Sequence, residues 1–202
     1  MNDKYDASQL RKQHLAARRA RDPARCRDDS AKIVARLEPY IAKPHYRRIA
    51  LYAPINNEVD ATAIMRRHAD REYCYPRICA DHMLEFRSVK TMSNMRRGPF
   101  GILEPNVDES TVVATRDIDL FIVPLVVFDR NCHRIGMGKG FYDRALAEVT
   151  VNPQHFPMLI GVAYASQCTA VVRPQSWDVQ LDAVITEQRV VYNSDAAKRR
   201  TT

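Results

Sequence analysis

Glycine is scarce in this chain. Six occur in 202 residues, and three of the six, Gly136, Gly138 and Gly140, stand within five consecutive positions. With 11 prolines, that is too little of either for a collagen-like or low-complexity chain. At 46% hydrophobic and 27% charged residues, the composition also excludes an intrinsically disordered chain. Cysteine is sparse and odd in number: Cys26, Cys74, Cys79, Cys132 and Cys168, with no C-x-x-C pair. That is no disulfide framework, and it predicts reduced thiols in a cytoplasmic protein. No Cys/His cluster has zinc-ligand spacing, and the adjacent Cys132 and His133 cannot by themselves supply a tetrahedral site. No run approaches the ~20 apolar residues that cross a bilayer. Met1–Asp6 is polar, so neither a membrane span nor a secretory leader is expected. Tryptophan occurs once, at Trp177.

Negative charge is short in one place only. The net charge is +7, and residues 1–48 carry 13 Lys and Arg against 6 Asp and Glu, while the rest is balanced. A basic N-terminal arm suits nucleic acid, a small polyanion or simply a solvated helical surface. Single-strand binding needs aromatics interleaved with the basic residues. Here Tyr5, Tyr40 and Tyr46 are scattered. A chain this long buries roughly 70% of the surface it exposes when unfolded, enough for one core. The expected organisation is a single domain over 1–202: basic helices (1–47), a sheet-containing core (48–192) and a polar tail (193–202).

Helical spacing of Leu10, His14, Leu15 and Arg18 predicts a helix over 7–21, capped by Asp6 or Ser8. Asp22-Pro23 starts a second, with Ile33, Val34, Leu37 and Ile41 as its apolar stripe and Pro39 and Pro44 ending or bending it. Strands are predicted at Arg48–Ala53, Tyr73–Ile78, Met83–Val89, Leu120–Phe128, Met158–Tyr164 and Ala183–Thr186. A short helix capped by Asp60 runs to Arg67, Asp81-His82 forms a turn, and 90–110 is a long loop. Leu120–Phe128 is the most apolar stretch, as expected of a strand buried on both faces in a mostly parallel sheet. Strands alternating with helices give an α/β layer fold.

The chemistry concentrates in Asp129–Asp143, which follows that strand and opens a helix from about Phe141. Its glycines permit positive φ and close approach to a ligand. Successive N–H groups and the following helix terminus can converge on an anion, and Lys139 can neutralise a phosphate. It is no Walker A loop, since no Ser or Thr follows Gly138-Lys139. It is no dinucleotide fingerprint either, since Phe141 stands where the third glycine belongs. A tight strand-to-helix turn with no ligand is the plainer reading of the glycines alone. Asp143 is placed to help hold Mg2+ with phosphate oxygens, or to pair with a neighbouring cation. Asp178, beside Trp177, reads on pattern as part of a packed corner. Glu58, just beyond the first strand, is a candidate for a polar substrate group, with Asp60 as a cap. Arg77 ends another strand and can meet an anion or form a surface ion pair.

Taken in order, the segments Leu10-Arg11, Ala50-Leu51-Tyr52-Ala53 with Glu58-Val59-Asp60, Tyr75-Pro76-Arg77, Met83–Arg87, Gly101–Pro105, Asp119–Pro124, Phe128–Arg144 and Trp177–Val184 resemble the 5-formyltetrahydrofolate cyclo-ligase (5,10-methenyltetrahydrofolate synthetase) family, from about Leu10 to Glu187. The resemblance implies a Rossmann-like α/β domain. It also implies ATP-dependent closure of 5-formyltetrahydrofolate to 5,10-methenyltetrahydrofolate through a phosphorylated formyl group, with Mg2+. By the same resemblance, Arg11, Arg134, Ile135, Gly136, Met137, Gly138, Lys139, Gly140, Phe141 and Tyr142 contact ATP, with Lys139 the catalytic cation. Ala53, Glu58 and the loop from Met137 to Phe141 contact the folate, and Asp143 and Asp178 hold the metal. Two positions depart from the family pattern: Ala7 where a lysine is frequent, with Lys4 or Lys12 to compensate, and Met137 where Arg or Tyr is common. The other function classes are a nucleic-acid or nucleotide binder and a sugar-phosphate isomerase of related fold. The expected partners are small molecules only, acting on a monomer with no nucleic acid and no membrane.

Overall fold

The computed structural model describes residues 6–150 and 156–194. Lys4, Tyr5 and the tail from 195 onward lie outside the described residues. Helix α1 (Ala7–Arg19) begins where Asp6 Oδ1 accepts the N–H groups of Ser8 at 2.8 Å and Gln9 at 3.1 Å. Helix α2 (Pro23–Ile41) begins where Asp22 accepts the Arg25 N–H at 3.1 Å, with Pro23 in the first turn, where a missing N–H costs nothing. It passes through Pro39 and stops two residues later.

The remaining helices are α3 (Ile64–Arg67) and α4 (Phe141–Thr150). The strands are β1 (Arg48–Ala50), β2 (Glu72–Ile78), β3 (Leu84–Ser88), β4 (Met95–Arg97), β5 (Leu103–Pro105), β6 (Thr111–Val113), β7 (Leu120–Pro124), β8 (Val127–Phe128), β9 (Arg134–Ile135), β10 (Met158–Val162), β11 (Ala183–Ile185) and β12 (Val190–Tyr192). Eight of them form one sheet in the order β12-β11-β10-β7-β1-β2-β3-β6. The five strands from β11 to β2 are parallel, and β12, β3 and β6 each join antiparallel to their neighbour. The mostly parallel α/β sheet is the one expected.

Alternate residues of β7 serve opposite faces. Leu120 and Ile122 join Ile33, Leu37 and Ile64 of α2 and α3, while Phe121 and Val123 join Leu146 and Val149 of α4. Each of these fully buried side chains contributes roughly 1.5–3 kcal/mol. Helix α1 lies elsewhere, with Leu10 and Leu15 against Val126, Val127, Ile135 and Val172. From β1 the chain runs outward through β2, β3 and β6, then returns to β7 on the other side of β1. Strand order thus reverses between β1 and β7, and ligands of open α/β sheets bind outside the carboxyl ends of strands at such a reversal.

Several expected elements differ in detail. The strand expected over 120–128 breaks after Pro124, because side chains take the next carbonyls. Gln167 Nε2 donates to Leu125 O at 3.0 Å and Val126 O at 2.9 Å, and Arg18 Nη1 donates to Leu125 O at 3.1 Å. The chain restarts as the β8–β9 hairpin, beneath the glycine loop. The first strand leaves its ladder at Ala50 rather than Ala53. The loop expected over 90–110 contains the β4–β5 hairpin, turned at Phe100 (φ +58°) and Gly101 (φ +73°). Asp60 is no helix cap: its Oδ1 accepts Thr62 N at 2.9 Å and Thr62 Oγ1 at 2.6 Å, in a turn before α3. Strands β6 and β12 are additions at the two sheet edges.

Candidate active site

A cavity of about 700 Å³ opens at the β1/β7 reversal. Ala53 and Glu58 reach it from the segment after β1, Pro76 and Ile78 from β2, and Pro124 from the end of β7. Arg134–Arg144 contribute β9, the glycine loop and the first turn of α4; Ala7 and Arg11 come from α1. Val172, Arg173, Gln175, Trp177 and Asp178 close it from the segment between β10 and β11. Every residue singled out through the resemblance, from Arg11 to Asp178, therefore faces one space. Arg77 does not. It sits between Pro76 and Ile78, so it points to the opposite side of the strand, 3.8 Å from Glu85. A second hollow at the amino ends of the strands is lined by charges that neutralise each other, such as Arg48–Glu72 at 2.8 Å and Arg71–Asp70 at 3.1 Å.

Two arginines hold the glycine loop by its carbonyls. Arg11 Nε donates to Gly136 O at 2.8 Å, and Arg144 Nη2 donates to Lys139 O at 2.6 Å and His82 O at 2.9 Å. Among the described residues, no protein acceptor takes the N–H groups of Gly136 to Gly140. With the start of α4 they form a positive, donor-rich surface. Gly138 (φ +89°) and Gly140 (φ +65°) need their conformation. A Cβ on Gly138 would lie 3.1 Å from the Arg11 guanidinium carbon, whereas one on Gly136 would meet nothing within 4 Å. Gly138→Ala is therefore expected to cost about 1–2 kcal/mol and to push the Arg11 guanidinium away from the loop. Gly136→Ala should melt like the parent. Paired denaturant melts check the contrast, and equal midpoints for the two variants would remove it.

Arg134 and the 175–180 segment fix Asp143. Arg134 Nη2 donates to Asp143 Oδ1 at 2.5 Å and Arg134 Nη1 donates to Val179 O, while Val179 N donates back to the same Oδ1 at 3.3 Å. Asp178 Oδ2 accepts Gln175 N at 2.8 Å. Across the cavity, Glu58 is buried in an ion pair with Arg18 at 3.1 Å and accepts Ile55 N at 3.1 Å. Burial pushes its carboxyl above the ordinary range, against the opposing pull of Arg18. Burial, reinforced by the Glu58 charge, pushes the Tyr142 phenol above its ordinary value. Trp177 is not in a packed corner; it is 68% exposed at the cavity mouth.

The 5-formyltetrahydrofolate cyclo-ligase family model matches residues 3–187. The chain belongs to this family. It is 32% identical over 187 residues to the 5-formyltetrahydrofolate cyclo-ligase of Mycoplasma pneumoniae, covering 91% of this chain and 99% of that one. It is 28% identical to the Escherichia coli K12 enzyme, covering 86% and 96%. Two solved structures superpose on it. The 5,10-methenyltetrahydrofolate synthetase from Mycoplasma pneumoniae has a TM-score of 0.73, with 30% identity and 91% and 99% of the two chains covered. The Aquifex aeolicus 5,10-methenyltetrahydrofolate synthetase has a TM-score of 0.78, with 31% identity and 94% and 93% covered. The chain is thus a ligase of the family that converts 5-formyltetrahydrofolate to 5,10-methenyltetrahydrofolate with ATP. No described helix is long and apolar enough to cross a membrane.

Sequence reasoning passed over three residues that build this cyclo-ligase cavity. Arg18 bonds Glu58, Asn56 O at 3.2 Å and Leu125 O, tying α1 to the segments after β1 and β7. Asp129 is buried and accepts Asn131 N, His133 N and Val172 N, fastening one cavity wall to the β8–β9 turn. Gln167 sets the break after β7. Only Asp129 carried a local signal, an Asp opening a turn with N–H donors two and four residues on. Among the described residues of the basic N-terminal quarter, Arg11 is the one charged side chain that lines the cavity, while Arg21, Arg25 and Lys32 converge on Asp29.

Proposed function

We propose that this cavity closes 5-formyltetrahydrofolate to 5,10-methenyltetrahydrofolate with ATP, and that the residues lining it play the roles given below. The observation that carries the reading is the convergence of Arg11, Glu58, Lys139, Asp143 and Asp178 on one space from separate segments. The formyl oxygen on N5 is amide-like and leaves poorly. Transfer of the γ-phosphoryl group of ATP to that oxygen makes phosphate the leaving group. N10 then attacks the formyl carbon, its proton is released, the C–O bond breaks, and ADP and phosphate depart. The protein's part is positioning and charge neutralisation. The loop N–H groups and the start of α4 receive the triphosphate, and Lys139 neutralises the phosphoryl group in transfer. Arg11 and Arg144 fix the loop backbone, and Glu58, set by Arg18, meets the pterin edge.

Asp143 and Asp178 suit Mg2+, which takes one or two carboxylates together with phosphate oxygens and water. Among the described residues there is no group of three or more His, Cys, Asp or Glu able to hold a metal, which fits an ion arriving with ATP. When bound, it neutralises charge on the phosphates. A nucleic-acid surface is the weaker reading, because so many basic side chains of α1 and α2 are engaged by acidic groups or carbonyls. The test is direct: incubate the protein with 5-formyltetrahydrofolate and Mg-ATP, and follow the near-UV absorbance of the methenyl product together with ADP. Stoichiometric appearance of both is expected, and absence of both overturns the reading.

A further inference from the structure

We infer that Trp177 is the platform on which the adenine ring of ATP stacks, making it the residue that distinguishes a nucleoside triphosphate from bare polyphosphate. The inference rests on the ATP site proposed above and adds the place of the base. Trp177 is the only tryptophan, and it lines the cavity while remaining 68% exposed. Among the described residues no other ring and no cation stacks on it. Large apolar side chains left in water around a cavity mark a ligand surface, and Phe100, Leu103 and Met137 are likewise exposed along other parts of the same lining.

Its position is fixed. Asp178 N donates to Gln175 O at 3.1 Å and Asp178 Oδ2 accepts Gln175 N at 2.8 Å, a closed turn with Trp177 near its tip. The next residue along, Val179, is bonded through both its N–H and its carbonyl to Asp143 and Arg134. The indole therefore hangs from the framework that holds the start of α4.

Strand order then decides which flat ring it meets. Along the carboxyl edge the cavity is built, in turn, by the segment after β10 with Trp177, the glycine loop that follows β7, Ala53–Glu58 after β1, and the end of β2. The β4–β5 hairpin that bears Phe100 is anchored at this far end, where Glu104 Oε1 accepts Ile78 N at 3.1 Å. A nucleotide whose phosphates lie on the central loop, with Glu58 and the folate on the β1 side, extends its base toward β10 and Trp177. Aromatic faces accept any flat base in this way.

Because Trp177 is the sole indole, tryptophan emission reports this side chain alone. Saturable change of that emission on adding ATP or a non-hydrolysable analogue is expected, with a much smaller change on adding inorganic tripolyphosphate. Trp177→Ala is expected to raise the KM for ATP by about 5- to 100-fold, with the effect falling on that constant rather than on kcat or on the KM for 5-formyltetrahydrofolate. Trp177→Phe should restore most of the ATP affinity. A rise in the folate KM instead, or emission that responds to 5-formyltetrahydrofolate and not to ATP, overturns the assignment. Failure of the cyclisation assay with an intact ATP-dependent emission change would sink the proposed reaction and uphold the base platform. Normal cyclisation with unchanged ATP affinity in Trp177→Ala would sink the platform alone.

Discussion

Lys139→Ala is expected to lower kcat for cyclisation by about 10²–10³-fold, the loss typical of removing one preorganised group that stabilises transition-state charge. Lys139 is exposed in the centre of the glycine loop and forms no ion pair among the described residues. Its removal therefore breaks no ion pair and no side-chain hydrogen bond among the described residues. The loop carbonyls stay tied to Arg11 and Arg144, so the backbone cradle survives the substitution. Only the cation proposed to neutralise the phosphoryl group is lost. The deficit should appear in single-turnover kinetics at saturating ATP and folate, with a melting curve that overlays the parent. Lys139→Arg should recover part of the rate, because charge returns but a planar guanidinium does not reproduce an ammonium point charge. Parent-like turnover in the alanine variant would take the catalytic role away from this residue.

The parts of the fold legible in the sequence are those dictated by neighbours in the chain. Asp6 and Asp22 cap helices because the N–H donors they accept lie two or three residues on. The apolar run from Leu120 announces a strand buried on both faces, and burial of Leu120 to Val123 follows from it. Glycines at Gly138 and Gly140 mark the positive φ of the loop. What stayed hidden depends on partners far away in sequence. The break after Pro124 is made by Gln167 and Arg18, 42 and 107 residues from Leu125. Nothing local marks either as buried. Arg77 was a fair candidate by position, but the pleat turns it away, and the facing of a side chain follows from register rather than type. Trp177 misled for a similar reason. A lone indole is ordinarily core, and only the assembled cavity mouth gives it cause to be exposed.

Arg18→Met should destabilise the protein by about 3–5 kcal/mol at neutral pH, the cost of leaving one member of a buried ion pair behind. Arg18 and Glu58 are both buried, at 3.1 Å from each other, so the stranded carboxylate keeps its desolvation cost and loses its charge partner. The sign of the pH dependence follows from Glu58. Burial already raises its carboxyl above the ordinary 4.5, and Arg18 opposes the rise. Between the unfolded and the folded value, the native state holds more protons than the unfolded one, so stability falls as pH rises through that window. Without Arg18 the folded value climbs further and the window extends upward. The deficit of Arg18→Met should thus shrink on acidification, where Glu58 is neutral in both states. Glu58→Gln placed on top of Arg18→Met should remove the pH dependence and recover much of the loss. Recovery stays incomplete, since Asn56 O and Leu125 O also lose a donor. Urea melts of the single and double variants from mildly acidic to neutral pH decide the matter. A loss that is independent of pH, and unchanged by Glu58→Gln, would mean that Arg18 acts through those two carbonyls and not by holding the carboxylate that lines the cavity.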